Sequence, residues 1–299
     1  MHLFPGTLMM NEVKAYLSKV AAITDSRMND LLPPPETYPA SIHSVMRYSL
    51  FAGGKRIRPA LVMASYEACG GNFGDDKPVI AGAAIEMLHT FSLMHDDLPC
   101  MDDDDFRRGK TTAHKAFTEA LAVLGGDALC IYAFECLTKL DRIEVIREIA
   151  RALGTGGMIG GQVIDIESEG KKVDKKAVEY IHNNKTAALI RTSVKTGALL
   201  ADAPQSHLEH LTAYGNRIGL AFQVIDDILD EEGTTVQIGK DAGSDRQRGK
   251  ATFPSVCGIA ESREYAKTLI ENACAELRFL NNSGPMLTAI ARFIETRIS

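Results

Sequence analysis

Ile85-Glu86-Met87-Leu88-His89-Thr90-Phe91-Ser92-Leu93-Met94-His95-Asp96-Asp97-Leu98-Pro99-Cys100-Met101-Asp102 is the stretch around which the rest of the chain is organised. From Pro78 to His95 nearly every residue is apolar or a strong helix former, so the run predicts a helix that is apolar on most faces and therefore central and buried. Six aspartates then fall within ten residues, from Asp96 to Asp105, and Arg107 and Arg108 follow at once. Carboxylates this close raise one another's pKa, which makes sense if a multivalent cation sits among the oxygens. Hard, all-oxygen ligation without Cys points to magnesium rather than zinc. The plain alternative is a solvated acidic loop after a helix.

Outward from that stretch the pattern stays helical. Val13, Tyr16, Leu17, Val20 and Ile23 mark one face of a helix from Asn11 to about Leu32, and Pro33-Pro34-Pro35 stops it. Residues 1–10 are expected to be a disordered leader, with Met1, Met9 or Met10 as the start, and residues 11–299 one domain. Helices are predicted over Ser41–Phe51, Ala60–Cys69, 113–124, 126–139, 141–153, 158–168, 174–200, 204–231, 261–281 and 285–297. Gly125-Gly126, Gly154 to Gly157 and Gly160-Gly161 read as joints between them. No alternating strand pattern is sustained, no glycine-rich loop follows a strand, and no linker divides the chain. The reading is a single all-α domain.

A second acidic helix end lies at Asp226-Asp227-Ile228-Leu229-Asp230. Asp226 and Asp230 share a helix face, with nothing basic three or four residues on to pair with them. Two such ends suggest carboxylates facing each other across a cavity. Asp96 and Asp102, six apart, cannot share a face of an ideal helix, so the chain must bulge or unwind near Pro99. Lys55, Arg58, Arg107, Arg108, Lys185, Lys240 and Lys250 supply the cationic side; arginine forks and lysine point charges are the usual partners of phosphate oxygens. A site for two diphosphates is the simplest sum. His89, on an apolar helix, reads by itself as a core histidine, and Met87, Met94 and Met101 as core or cavity wall.

Composition narrows the classes. A formal net charge of -6 argues against nucleic acid as a partner. Six cysteines without a C-x-x-C pair read as reduced thiols of a cytoplasmic protein. No apolar run approaches the eighteen or so residues of a membrane span. The acidic stretch lacks the mid-loop Gly and closing Glu of an EF-hand.

With these residues in view, the chain resembles the trans-isoprenyl diphosphate synthases, most closely bacterial farnesyl diphosphate synthases. The matching pieces are Gly53-Gly54-Lys55-Arg56-Ile57-Arg58-Pro59, Asp96-Asp97-Leu98-Pro99-Cys100-Met101-Asp102, Arg107-Arg108-Gly109, Gly160-Gly161-Gln162, Lys185-Thr186, Phe222-Gln223, Asp226-Asp227-Ile228-Leu229-Asp230 and Gly249-Lys250-Ala251-Thr252. The resemblance implies ten or more helices around a deep cavity, a homodimer, and head-to-tail condensation of an allylic diphosphate with isopentenyl diphosphate. It implies three Mg2+ ions, two held by Asp96 and Asp102 and the third by Asp226. Lys55, Arg58, His89 and Arg108 match the isopentenyl diphosphate site; Arg107, Lys185, Thr186, Gln223, Lys240 and Lys250 match the allylic site. Arg297 is a weak candidate for a basic C-terminal cap known in some relatives.

The same resemblance makes chain length a matter of Phe91 and Ser92, five and four residues before Asp96. At 1.5 Å per residue Phe91 lies roughly 7.5 Å below the cation site, where a ring can stop the growing tail. Farnesyl diphosphate, C15, is the expected product, with the C20 geranylgeranyl diphosphate as the main competitor. A terpene cyclase would be expected to replace the second acidic motif, and a non-catalytic subunit of a heteromeric synthase to lose one of the two; this chain keeps both.

Overall fold

Proline and glycine punctuation set most of the helices, and the chain runs through them in an almost uninterrupted series. In this computed structural model, which describes residues 5–232, 248–281 and 283–296, they are α1 (Pro5–Leu31), α2 (Ala40–Leu50), α3 (Ile57–Ala68), α4 (Asp76–Asp96), α5 (Ala113–Ala116), α6 (Glu119–Thr138), α7 (Ile143–Leu153), α8 (Met158–Ser168), α9 (Lys175–Ile181), α10 (Ala187–Leu200), α11 (Gln205–Glu232), α12 (Phe253–Cys257), α13 (Ile259–Glu276) and α14 (Pro285–Glu295). A π-helical turn, His182–Thr186, joins α9 to α10, and a 3-10 turn, Leu277–Leu280, follows α13.

α4 is the central helix that the apolar run predicts: Val79 to Leu88 are buried without a break. Two apolar cores flank it and α3 and α10. One gathers α2, α4, α6 and α7; the other gathers α1, α9, α11, α13 and α14. α3 and α10 belong to both, Val62 and Leu189 facing the first core and Met63 and Ile190 the second. The site lies where the C-terminal ends of α4 and α11 open between these cores.

Several expectations are corrected. α1 starts at Pro5, not Asn11, so residues 5–10 are helix rather than disordered leader; proline's fixed φ suits a first helical turn. The glycines at 125 and 126 do not break α6. A Cβ at Gly126 would lie 2.3 Å from His95 Nε2, so the residue is small to let α6 close on the end of α4. A two-stranded antiparallel hairpin, β1 (Phe106–Arg107) and β2 (Lys110–Thr111), interrupts the all-α pattern. Arg108 and Gly109 both take positive φ, 55° and 75°, as its tight turn requires. α12 went unread because it is short; Thr252 and Ser255 cap it reciprocally.

α6 is a further correction. By length and composition it is apolar enough to cross a membrane, with mean hydropathy 1.7, although interspersed Asp127 and Glu135 hide this from a search for an unbroken run. Ala122, Leu129, Ala133 and Leu137 pack it into the first core, while Leu124 (55% exposed) and Ile131 (71%) stay uncovered.

Candidate active site

The two acidic helix ends are built differently. α4 stops at Asp96 because Pro99 has no N–H to continue it. The chain turns, Met101 N–H donating to the Leu98 carbonyl at 2.9 Å, and returns so that Asp102 N–H donates to the Asp96 carbonyl at 2.7 Å. The unwinding expected near Pro99 thus occurs as a turn beyond the helix. Asp96 and Asp102 both face a cavity of about 700 Å³. α11 instead runs straight past its aspartates to Glu232, and only Asp226 and Asp227 of the three reach that cavity.

Five of the six aspartates of the first stretch divide between the cavity and ion pairs. Asp97, buried, accepts from Arg107 Nε at 2.8 Å. Burial pushes its carboxyl up to about 6 in spite of that guanidinium. Asp104 accepts from Arg107 at 2.8 Å and from Arg248 at 2.5 Å. Asp105 pairs at the surface with Lys115, 2.8 Å away. Asp96 and Asp102 are left to the cavity. Burial raises Asp96, helped by Asp102 and opposed by Lys185, Arg107 and Lys250. Asp102 is held low: burial is the largest influence and would raise it, but Lys250, at 2.8 Å, together with Lys185 and Arg248 outweighs burial.

Lys185 and Thr186 sit on the π-helical turn, an extra residue in the helix that aims their side chains across the cavity. Gly161 of α8 permits this: a Cβ there would lie 2.3 Å from the Lys185 backbone nitrogen. Lys185 Nζ donates to Asp165 Oδ2 at 2.6 Å. Burial alone would lower its pKa, but Asp96, Asp165 and Asp102 outweigh burial and hold the ammonium charged. Thr186 donates to Gln223 Oε1 at 2.7 Å, and Gln223 Nε2 to Asp227 Oδ1 at 3.0 Å. Asp227 also accepts from Phe253 N–H at 2.9 Å and lies 3.2 Å from His182 Nε2. It therefore staples α11 to the π-turn and α12.

Arg58, His89, Arg107 and Arg108 also line the cavity. Burial lowers the Arg58 guanidinium to about 10, with Glu86 opposing, Arg108 adding to the shift and Asp226 opposing. Burial first, then Arg58, Arg108, Arg107 and Arg56, depress His89 well below its ordinary value, so it is a neutral imidazole. It is not the plain core histidine of the residue-level reading, since its side chain lines the cavity. Phe91 and Ser92 line it too, the Phe91 ring standing edge-on to His95 at 5.5 Å.

The cavity thus gathers Asp96, Asp102, Asp226, Arg58, His89, Arg107, Arg108, Lys185, Thr186, Gln223, Lys250, Phe91 and Ser92. Lys55 is not among its lining residues; it is exposed, 6.0 Å from the centre of the Phe293 ring. Lys240 and Arg297 lie outside the described residues. Asp165, Arg248, His182 and Asp227's stapling role were missed. Asp165 meets Lys185 across 20 residues, and no sequence spacing signals such a pair.

The donor set fits magnesium. Among the described residues no three or more His, Cys, Asp or Glu converge in one cluster. Magnesium does not need such a cage: it is held through one or two carboxylates and completes its shell with waters and substrate phosphates. Asp96, Asp102 and Asp226 offer hard oxygens to a cavity lined with phosphate-type cations.

The polyprenyl synthetase family model matches residues 39–279. A geranylgeranyl diphosphate synthase of Cyanophora paradoxa is 43% identical, covering 94% of this chain and 95% of that protein. A farnesyl diphosphate synthase of Geobacillus stearothermophilus is also 43% identical, covering 87% and 89%. Among solved structures, an FPP/GFPP synthase from Zymomonas mobilis superposes with a TM-score of 0.85 at 37% identity, over 96% of this chain and 99% of that one.

Proposed function

This chain belongs to the polyprenyl synthetase family, and on that premise we propose that it condenses isopentenyl diphosphate with dimethylallyl and then geranyl diphosphate, releasing farnesyl diphosphate. The observation that carries the C15 product is Phe91, whose ring lies against the cavity one helical turn below Asp96. Its edge-on contact with His95 supports a fixed ring rather than a swinging one. The C20 product is the second reading, favoured by the Cyanophora relative's name and its near-complete overlap.

Asp96, Asp102 and Asp226 would hold the magnesium ions. When bound, these supply positive charge to the departing diphosphate of the allylic substrate. Lys185, Lys250 and Arg107 bind that diphosphate, with Thr186 and Gln223 orienting it. The partial burial of Lys185 strengthens each contact, because charge is less screened there than in water. Arg58, Arg108 and neutral His89 bind the second diphosphate and hold the isopentenyl double bond toward the allylic carbon. The allylic C–O bond breaks to leave an allylic cation, the isopentenyl double bond attacks that cation to form the new carbon–carbon bond, and the proton lost afterwards passes to the released diphosphate. The uncovered Leu124 and Ile131 of α6 support a homodimer rather than a membrane span, since the same helix is packed on its other side. Six free thiols suit a reducing cytoplasm.

The test is radiolabelled isopentenyl diphosphate with each allylic primer, products separated by length. C15 as the main product from both dimethylallyl and geranyl primers bears the proposal out. A main product of C20 transfers the assignment to the second reading, and no elongation at all removes the activity.

A further inference from the structure

Glu86 is a buried carboxylate that the reaction does not use. It sits on apolar α4, ten residues before Asp96, and is 2% exposed. Its Oε1 accepts from Arg56 Nη1 at 2.9 Å and lies 4.0 Å from Arg108 Nη2. Its Oε2 is buried with no hydrogen-bond partner, so Arg56 alone does not saturate it. A buried charge of this kind is costly unless cations surround it.

Three guanidinium groups do. Arg56, also 2% exposed, spends its other donors on Asp25 at 2.9 Å, the Leu50 carbonyl at 2.8 Å and the Gly53 carbonyl at 3.3 Å. It is thereby withdrawn from substrate, although it stands in the same basic run as Arg58. Arg108 donates to the same Gly53 carbonyl. A Cβ at Gly54 would lie 2.7 Å from Arg108 Nη1, so the glycine loop is shaped to admit that guanidinium. Arg58 lies close enough for Glu86 to oppose its loss of charge, and its Nε is buried without a hydrogen-bond partner. Left to themselves, three like charges would splay.

We infer that Glu86 is a positioning residue for the isopentenyl diphosphate site: its carboxylate anchors Arg56 beneath the cavity and holds Arg58 and Arg108 converged, so that both present their remaining donors to one diphosphate. The inference rests on the proposed reading of Arg58 and Arg108 as the ligands of that diphosphate. It predicts an effect confined to one substrate, which a general packing role would not give.

Isopentenyl diphosphate cannot react alone, so its Kd is measurable by calorimetry on the whole protein. Glu86→Gln, nearly isosteric, is expected to raise that Kd and the corresponding KM by about tenfold, the scale of one charge-assisted contact. The KM for geranyl diphosphate should move less than about twofold on the same scale. Glu86→Asp should fall between, and Asp25→Asn, which touches Arg56 from its other side, should leave the Kd near the parent's. A folded Glu86→Gln protein with parental Kd overturns the inference, as does equal weakening of both substrates or an Asp25→Asn effect as large as that of Glu86→Gln. If Glu86→Gln does not fold, Glu86→Asp decides on the same two constants. Arg58→Ala is the control: if it leaves isopentenyl binding unchanged, the reading of the site falls and the inference with it, whereas loss in Arg58→Ala without loss in Glu86→Gln sinks the inference alone.

Discussion

The ends of α4 and α11 carry nearly the same acidic signature and use it in opposite ways. At α4 the helix stops, the chain folds back, and two carboxylates six residues apart, Asp96 and Asp102, reach one cavity. At α11 the helix continues, Asp226 and Asp227 both line the cavity, and Asp227 is held there by Gln223, His182 and the Phe253 N–H. The lesson is that neighbouring aspartates on a helix divide by face: Asp226 is turned to the cavity, while Asp227 ties α11 to the π-turn and α12.

The comparison breaks most easily at the cavity carboxylates. Asp96→Ala and Asp226→Ala should each lower kcat by about a thousandfold or more, the scale of losing one preorganised electrostatic contact. Helix content by circular dichroism should not change. A loss under tenfold in either would show that the two ends are not equivalent at the chemical step.

Asp227→Ala should behave in the opposite sense. Stripping the acceptor from two buried donors, the Phe253 N–H and His182, and from half-buried Gln223 is expected to cost about 3 kcal/mol of stability, read as a lowered denaturant midpoint. If instead Asp227→Ala keeps its midpoint and loses only turnover, the division by face is wrong.

On the proposed C15 reading, the α4 end has a second duty, through Phe91, that the α11 end lacks. Phe91→Ala should shift the product from C15 to C20 or longer while turnover stays within about tenfold, because cutting back one ring empties a tail site without touching the cations. An unchanged product distribution would remove Phe91 from the floor of the cavity.

The smallest effect is in pH. His89 has a folded pKa well below 6.5, so as pH falls the unfolded chain takes the proton first. Its contribution is fully present above about 6.5 and is lost as pH falls from there toward the folded value. His89→Gln should flatten the decline of stability between roughly pH 6.5 and 5, by at most about 1.4 kcal/mol per pH unit, followed by urea midpoints.

Much of the site was legible before any coordinates. Asp96, Asp102, Asp226 and Lys250 stand in runs too charged for a core, and all four line the cavity; Lys185, in an uncharged stretch, was legible as a site residue only through the family resemblance. Arg56 and Arg58 show the limit: both stand in one basic run, yet Arg56 is spent on Glu86 and Asp25 while Arg58 lines the cavity. Lys55 fits the same pattern and lies outside the cavity wall. Glycine misled the reading in the other direction at Gly126, where the missing side chain serves packing rather than a joint.

The sequence by itself determined the all-α class, the buried central helix and the two acidic helix ends, because helical periodicity, proline stops and charge density are local properties. Only the tertiary structure decided that Asp96 rather than Asp97 lines the cavity, that Asp227 is bound up with α12 and the π-turn, which arginine is withdrawn, and that Asp165 belongs to Lys185. Those choices depend on which helix face a neighbour covers, and that is set by packing between residues dozens of positions apart.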